Sequence, residues 1–215
     1  MSKHKTHAVH SQHRSHSEDE PYLLISTTSS YDPTPLWNTE NDRGGADCSM
    51  WRPTPEDGSF FTVGDLVQPG YGGPTSAAII VKAINDNGTN PLLRAPVNYE
   101  RVWHDHGSGA KLFGSIWRPK PPDGYVALGY VCNTGYYPPN DGSGPNLNYA
   151  CIRLDLADPL LATDVQSVIW SADGTHAQER VICWALPGLS SAFVAQQNYD
   201  AWSGAAFKIR GYPPR

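Results

Sequence analysis

Apolar positions in this chain come in short runs and never in a long helical stripe. The run AAIIV at residues 77–81 is rich in β-branched side chains and bounded by turn formers, which reads as a strand. In GYVALGYV, Val126, Leu128 and Tyr130 alternate with Tyr125, Ala127 and Gly129, which predicts a single strand with two distinct faces. Polar stretches rich in Asp, Asn and Gly (NTEND, DHGSG, ADGTH) each lie between two apolar segments and read as hairpin turns. Prolines at 53, 55, 119, 121 and 122 close the strands that follow, because proline cannot donate to an interior ladder.

The tryptophans turn this local reading into an architecture. Trp37 and Trp51, Trp103 and Trp117, and Trp170 and Trp184 form three pairs, and SMWRPTPEDG at 49–58 recurs as SIWRPKPPDG at 115–124. FTVGDLVQPGY at 61–71 lies over VALGYVCNTGY at 126–136, and NPLLRAPVNYERVW at 90–103 lies over DPLLATDVQSVIW at 158–170. The third unit continues as CWALPG, keeping the tryptophan and losing the arginine. A large side chain repeated at one position serves the same packing role in each unit. Three hairpin sheets can bury their apolar faces only against one another. The expected fold is all-β, a pseudo-three-fold, β-prism-like repeat. It spans 21–215 as one domain, with units at about 21–85, 86–152 and 153–215 behind a disordered tail, 1–20.

Composition narrows the function classes. Of 215 residues 17% are charged and the net charge is −5, so nothing draws the chain to a phosphate backbone and nucleic acid is not an expected partner. No apolar run reaches the ~20 residues of a membrane-spanning helix, and no signal-peptide core opens the chain. The four cysteines lack metal-ligand spacing and read as reduced thiols in a cytoplasmic protein, with a Cys132–Cys151 bridge as the alternative under unconventional secretion. His4, His7, His10, His13 and His16 recur every third residue and could hold Zn, Ni or Cu; an unpacked polar tail accounts for them better. No cofactor is expected.

Candidate chemistry lies in the turns and the repeated phrase. Asp105, Ser108, Asp173 and Thr175, with Asp42 in the first turn, could hold sugar hydroxyls or a calcium ion, although turn formation explains the same residue types. Arg52 and Arg118 could clamp a carboxylate or phosphate, or brace the proline bends through Asp57 and Asp123. Trp202 lies outside the period and is the tryptophan freest to serve a ligand. His104, Asp105 and His106 are the sole cluster that suggests hydrolysis. With no nucleophile motif or zinc signature beside them, the chain reads as a non-enzyme.

The segment WRPKPPDGYVALG, preceded by VWHDHGSGA, resembles the motif set of the vacuolar protein sorting-associated protein 62 family of fungi and its plant relatives. That resemblance implies a role in vacuolar sorting or membrane trafficking and brings no catalytic residues. The expectation is a binding module for a glycan, a lipid headgroup or a protein partner, peripheral at vacuolar or endosomal membranes. The alternatives are a targeting component of a defence or pore-forming toxin system, and a hydrolase.

Overall fold

A computed structural model describes residues 7–8, 20–140 and 147–212. Apart from two single-turn 3₁₀ segments, its regular structure is strand. A two-residue strand, β1 (His7–Ala8), comes first. The first unit holds β2 (Tyr22–Thr28), β3 (Trp37–Asn38), β4 (Cys48–Trp51), β5 (Phe61–Thr62), β6 (Leu66–Pro69) and β7 (Ala78–Ile84). The second holds β8 (Leu93–Arg94), β9 (Asn98–His104), β10 (Gly114–Lys120), β11 (Tyr125–Val126), β12 (Val131–Thr134) and β13 (Cys151–Arg153). The third holds β14 (Ala157–Leu160), β15 (Val168–Ser171), β16 (Ile182–Ala185), β17 (Phe193–Gln196) and β18 (Ala206–Ile209).

Each unit builds one inner three-stranded sheet: β3-β4-β6, β9-β10-β12 and β15-β16-β17. The remaining strands pair into an outer layer, β2-β7-β5 with β1 at the edge, β11-β13-β8, and β14-β18. Register fixes which way the tryptophans face. Trp37 opposes Met50, Trp103 opposes Ile116 and Trp170 opposes Cys183, so each inner tryptophan sits across from the residue just before the outer one. Because successive side chains in a strand alternate faces, the inner and outer tryptophans point to opposite sides of their sheet.

The inner three meet. Trp37, Trp103 and Trp170 stand edge-to-face in a closed triangle, with ring centroids 5.2, 5.5 and 5.5 Å apart. Such pairs contribute about 0.5–1.5 kcal/mol each beyond the area they bury. The outer tryptophans fill the space behind the inner sheets. Trp117 packs with Tyr125, Val131, Tyr149 and Cys151, and Trp51 and Trp117 donate their indole N–H to Ser49 and Ser115 (2.9 and 2.8 Å). In the third unit Ile182 replaces that serine, and Trp184 instead meets Trp202 edge-to-face at 5.5 Å.

Three expectations change here. GYVALGYV is two strands, because β11 pairs with β13 in the outer layer while β12 pairs with β10 in the inner one. Between them the chain passes close to the pseudo-three-fold axis, where a side chain on Gly129 would lie 2.8 Å from the Val63 carbonyl and 3.0 Å from the Ala192 methyl. In the tail, His7 and Ala8 pair with Ile25 and Leu24 at the edge of β2; His4, His10, His13 and His16 lie outside the described residues. Finally, Cys132 and Cys151 are free, buried thiols on strands of different sheets, which removes the disulfide alternative.

Candidate functional site

The three hairpin turns gather at one end of the molecule above the tryptophan triangle and bond to one another. The Arg43 amide donates to the Ser108 carbonyl (3.0 Å), the Lys111 amide to Glu40 (2.9 Å) and the Gln178 amide to His106 (2.8 Å). Each inner indole N–H crosses into a neighbouring unit's turn. Trp37 donates to Asp105 Oδ2 (2.9 Å), Trp103 to the Glu179 carbonyl (3.0 Å) and Trp170 to the Ala46 carbonyl (2.9 Å). First unit to second, second to third, third to first, these bonds close a ring.

Of the polar residues that the sequence offers as ligand contacts, Asp105 belongs to that ring and most of the others are engaged within their own turns. Asp42, Ser108 and Thr175 each sit five residues beyond an inner tryptophan. Each accepts the amide two residues ahead, from Gly44 (2.8 Å), Ala110 (3.0 Å) and Ala177 (3.3 Å), as turn-forming residues do. Asp105 is buried and also accepts the Gly114 amide (3.1 Å) and the Ser108 hydroxyl (3.3 Å). Asp173 is exposed. Asp42 is half-buried and its carboxyl is raised, first by burial.

The arginines of the repeated phrase have different fates. Arg52 is 1% exposed and paired with the equally buried Asp65 at 2.9 Å, while the same carboxylate accepts the Cys132 amide (2.7 Å). Arg118 lies on the surface beside Glu100. Neither brace to Asp57 or Asp123 forms; Asp57 accepts the Ser59 amide (2.9 Å) and faces Lys82 (3.6 Å). Trp202 is not a free platform either. It is 5% exposed and packed on Trp184, because the third unit needs a second ring where the others place the Trp–Ser bond.

His104 and His106 stay near the surface, with His104 Nε2 3.5 Å from Glu179 Oε1. Asp105, between them in sequence, turns its carboxylate to Trp37, so the three do not form a solvent-facing acid–base set. Among the described residues no group of three His, Cys, Asp or Glu side chains could hold a metal ion.

A feature the sequence reading missed stands beside these histidines. Gly114 packs against Trp37, and a side chain there would overlap the indole at 2.3 Å; this close approach seats β10 and leaves Phe113 pointing outward. Phe113 is 61% exposed and Tyr137 66% exposed. Tyr136 lies among the rings of His104 (5.0 Å), Phe113 (5.6 Å) and His106 (6.1 Å), and burial together with the Asp105 carboxylate pushes its phenol up to about 12. The loop is tied down: the Gly135 amide donates to the Phe113 carbonyl (2.6 Å), and the Asn133 side chain donates to the Tyr137 carbonyl (3.0 Å). Each unit places a tyrosine beside its own turn. Tyr71 donates to Asp47 (2.7 Å) and Tyr199 lies under Arg180 (5.2 Å), yet the second unit alone of the three adds Phe113 and two histidines. The available signal is three aromatics within loops rich in Gly or Pro, of which Phe113 and Tyr137 stay exposed and Tyr136 is partly buried.

No curated protein matches the chain. Among solved structures, GNIP1Aa from Chromobacterium piscinae is similar, with a TM-score of 0.65 and 28% identity over 85% of this chain and 34% of that one. The chain thus spans about a third of the length of that bacterial protein. No helix among the described residues is long and apolar enough to cross a membrane. The family model for vacuolar protein sorting-associated protein 62 matches residues 25–196, and with that match the chain belongs to this family.

Proposed function

We propose that the protein is a non-catalytic recognition module whose turn end binds glycans through Phe113, Tyr136 and Tyr137. The observation that carries this reading is the pair of solvent-exposed rings, Phe113 and Tyr137, held on loops that backbone and amide bonds fix in place. Aromatic faces offer the apolar side of a sugar ring a flat partner, and the adjacent His106 and Tyr136 supply polar groups that orient hydroxyls. Rigid loops lose little conformational entropy on binding, which favours recognition over induced ordering. As a member of a vacuolar-sorting family, the module fits a role in recruiting glycan-bearing cargo or membrane. The test compares the wild-type protein with a Phe113→Ala/Tyr137→Ala variant on a glycan array, on mixed liposomes and in a pull-down. Retention of glycans by the wild type and loss by the variant support the reading; binding confined to liposomes or to a protein replaces the ligand class.

A second reading, a targeting component for a defence or pore-forming partner, is favoured by the similar fold occupying only 34% of a longer bacterial chain. In that reading the domain supplies the address and another polypeptide the lesion, so the isolated protein leaves liposomes sealed.

A further inference from the structure

A groove lies where the third unit closes back on the first. Its floor is apolar, built from Leu66, Ile169, Leu186, Leu189 and Ala192, its wall includes the amide of Gln68, and its rim carries the hydroxyls of Thr75, Ser76, Ser190 and Ser191. The groove is open to solvent along its mouth and holds about 510 Å³, within the usual range of small-ligand sites. Among the described residues no charged side chain lines it.

Three further observations set this groove apart from an ordinary crease. Gln68, in its wall, is 9% exposed; its Nε2 donates to the Gly72 carbonyl (2.7 Å), while its Oε1 is shut off from bulk solvent and has no donor among the described residues. A buried acceptor without a donor is uncommon and calls for a hydroxyl or a water to complete it. Ser191, at the lip, holds φ at +70°, a left-handed conformation costly for a side-chain-bearing residue and one that clusters at ligand clamps. The lip is also braced. The Tyr31 hydroxyl donates to the Ser76 carbonyl (2.8 Å) and lies 3.2 Å from Ser191 Oγ, which donates to the Ala77 carbonyl (3.0 Å). The Ser191 hydroxyl at the mouth is therefore set in place before any ligand arrives.

We infer that this groove is a second binding site, separate from the turn end, for an uncharged oligosaccharide residue. An apolar floor, a hydroxyl rim and an unpartnered amide oxygen, with no charge to neutralise, match a ring that is apolar on one face and carries neutral hydroxyls at its edge. Anionic headgroups and nucleotides find no cation there among the described residues, and an apolar peptide side chain leaves the Thr75 and Ser190 hydroxyls and Gln68 Oε1 without partners.

The inference is independent of the turn-end reading and is tested apart from it. Neutral oligosaccharides of glucose, mannose and galactose are titrated into methyl-labelled protein, and the signals of Leu66, Ile169, Leu186 and Leu189 are followed by NMR. The expected result is saturable movement of these methyls with at least one of the sugars, persisting in Phe113→Ala/Tyr137→Ala. It should weaken at least tenfold in Ser190→Trp or in Thr75→Tyr, two exposed rim positions whose larger side chains fill the groove without entering the core. Groove methyls unmoved by every sugar at millimolar concentration overturn the inference. So does movement that both groove-filling variants leave unchanged, or movement produced by an apolar peptide and not by the sugars.

Discussion

The indole N–H of Trp37 in the first unit donates to the carboxylate of Asp105 in the second unit's turn at 2.9 Å, and both residues are buried. This bond is one side of a ring that joins the three units, and it explains why a residue that reads as a ligand contact is a structural one. Replacing Asp105 with Ala leaves the Trp37 N–H and the Gly114 amide without acceptors, at a cost of about 3 kcal/mol; Asp105→Asn keeps one acceptor and costs less. Chemical denaturation of the two variants checks the order. Equal stability of Asp105→Ala and wild type would contradict the closure.

The two copies of the Trp-Arg-Pro phrase predict unequal mutants. Arg52→Ala strands the buried Asp65 carboxylate and is expected to destabilise by about 3–5 kcal/mol. Arg118→Ala removes a surface pair with Glu100 and is expected to change stability by no more than about 1 kcal/mol. Denaturation midpoints measured side by side decide it, and similar losses at both sites count against the assignment.

At the pseudo-three-fold axis, Gly129→Ala is expected to destabilise by about 2 kcal/mol or more, because the added methyl meets the Val63 backbone, which cannot swing aside as a flexible side chain can. Gly58→Ala, with open space around its side-chain position, serves as the control and should be close to neutral. A thermal melt that places Gly129→Ala with the control removes the close approach from the account.

Buried thiols give the fold a pH dependence. Burial, the first cause in each case, pushes Cys48, Cys132 and Cys183 above the ordinary thiol range. Their folded values are raised, so their contribution is fully present below the unfolded thiol value near 8.5 and is lost as pH rises beyond it. One pH unit above that value the loss is about 1.4 kcal/mol for each thiol. The denaturation midpoint should fall between pH 7 and pH 9.5, and a thiol reagent should label these cysteines only after unfolding. A midpoint that does not move, or rapid labelling of the native protein, would show the thiols to be accessible.

The period of the tryptophans made the three-fold architecture legible, because a packing role repeats at a fixed interval and leaves a trace in sequence. What the side chains do within that architecture was less visible. Arg52 and Arg118 occupy the same phrase, and only the surroundings separate a core ion pair with Asp65 from a surface pair with Glu100. Asp105 looked like a turn carboxylate because its partner, Trp37, lies in another unit and no local pattern connects them. Trp202 looked free because it falls outside the period, whereas the third unit recruits it to cover Trp184 where the serine is missing. Phe113 and Tyr137 leave no mark in the sequence, because a lone aromatic in a loop has no periodicity to report its exposure.

In the proposed function the turn carboxylates and hydroxyls build the fold and the exposed rings bind the ligand. Titration calorimetry with a glycan retained on the array tests this most directly, using the wild type, Phe113→Ala/Tyr137→Ala and Asp173→Ala. The aromatic double variant is expected to weaken binding at least tenfold while folding normally, and Asp173→Ala is expected to bind like the wild type. Unchanged affinity in the double variant, together with loss in Asp173→Ala, would contradict it.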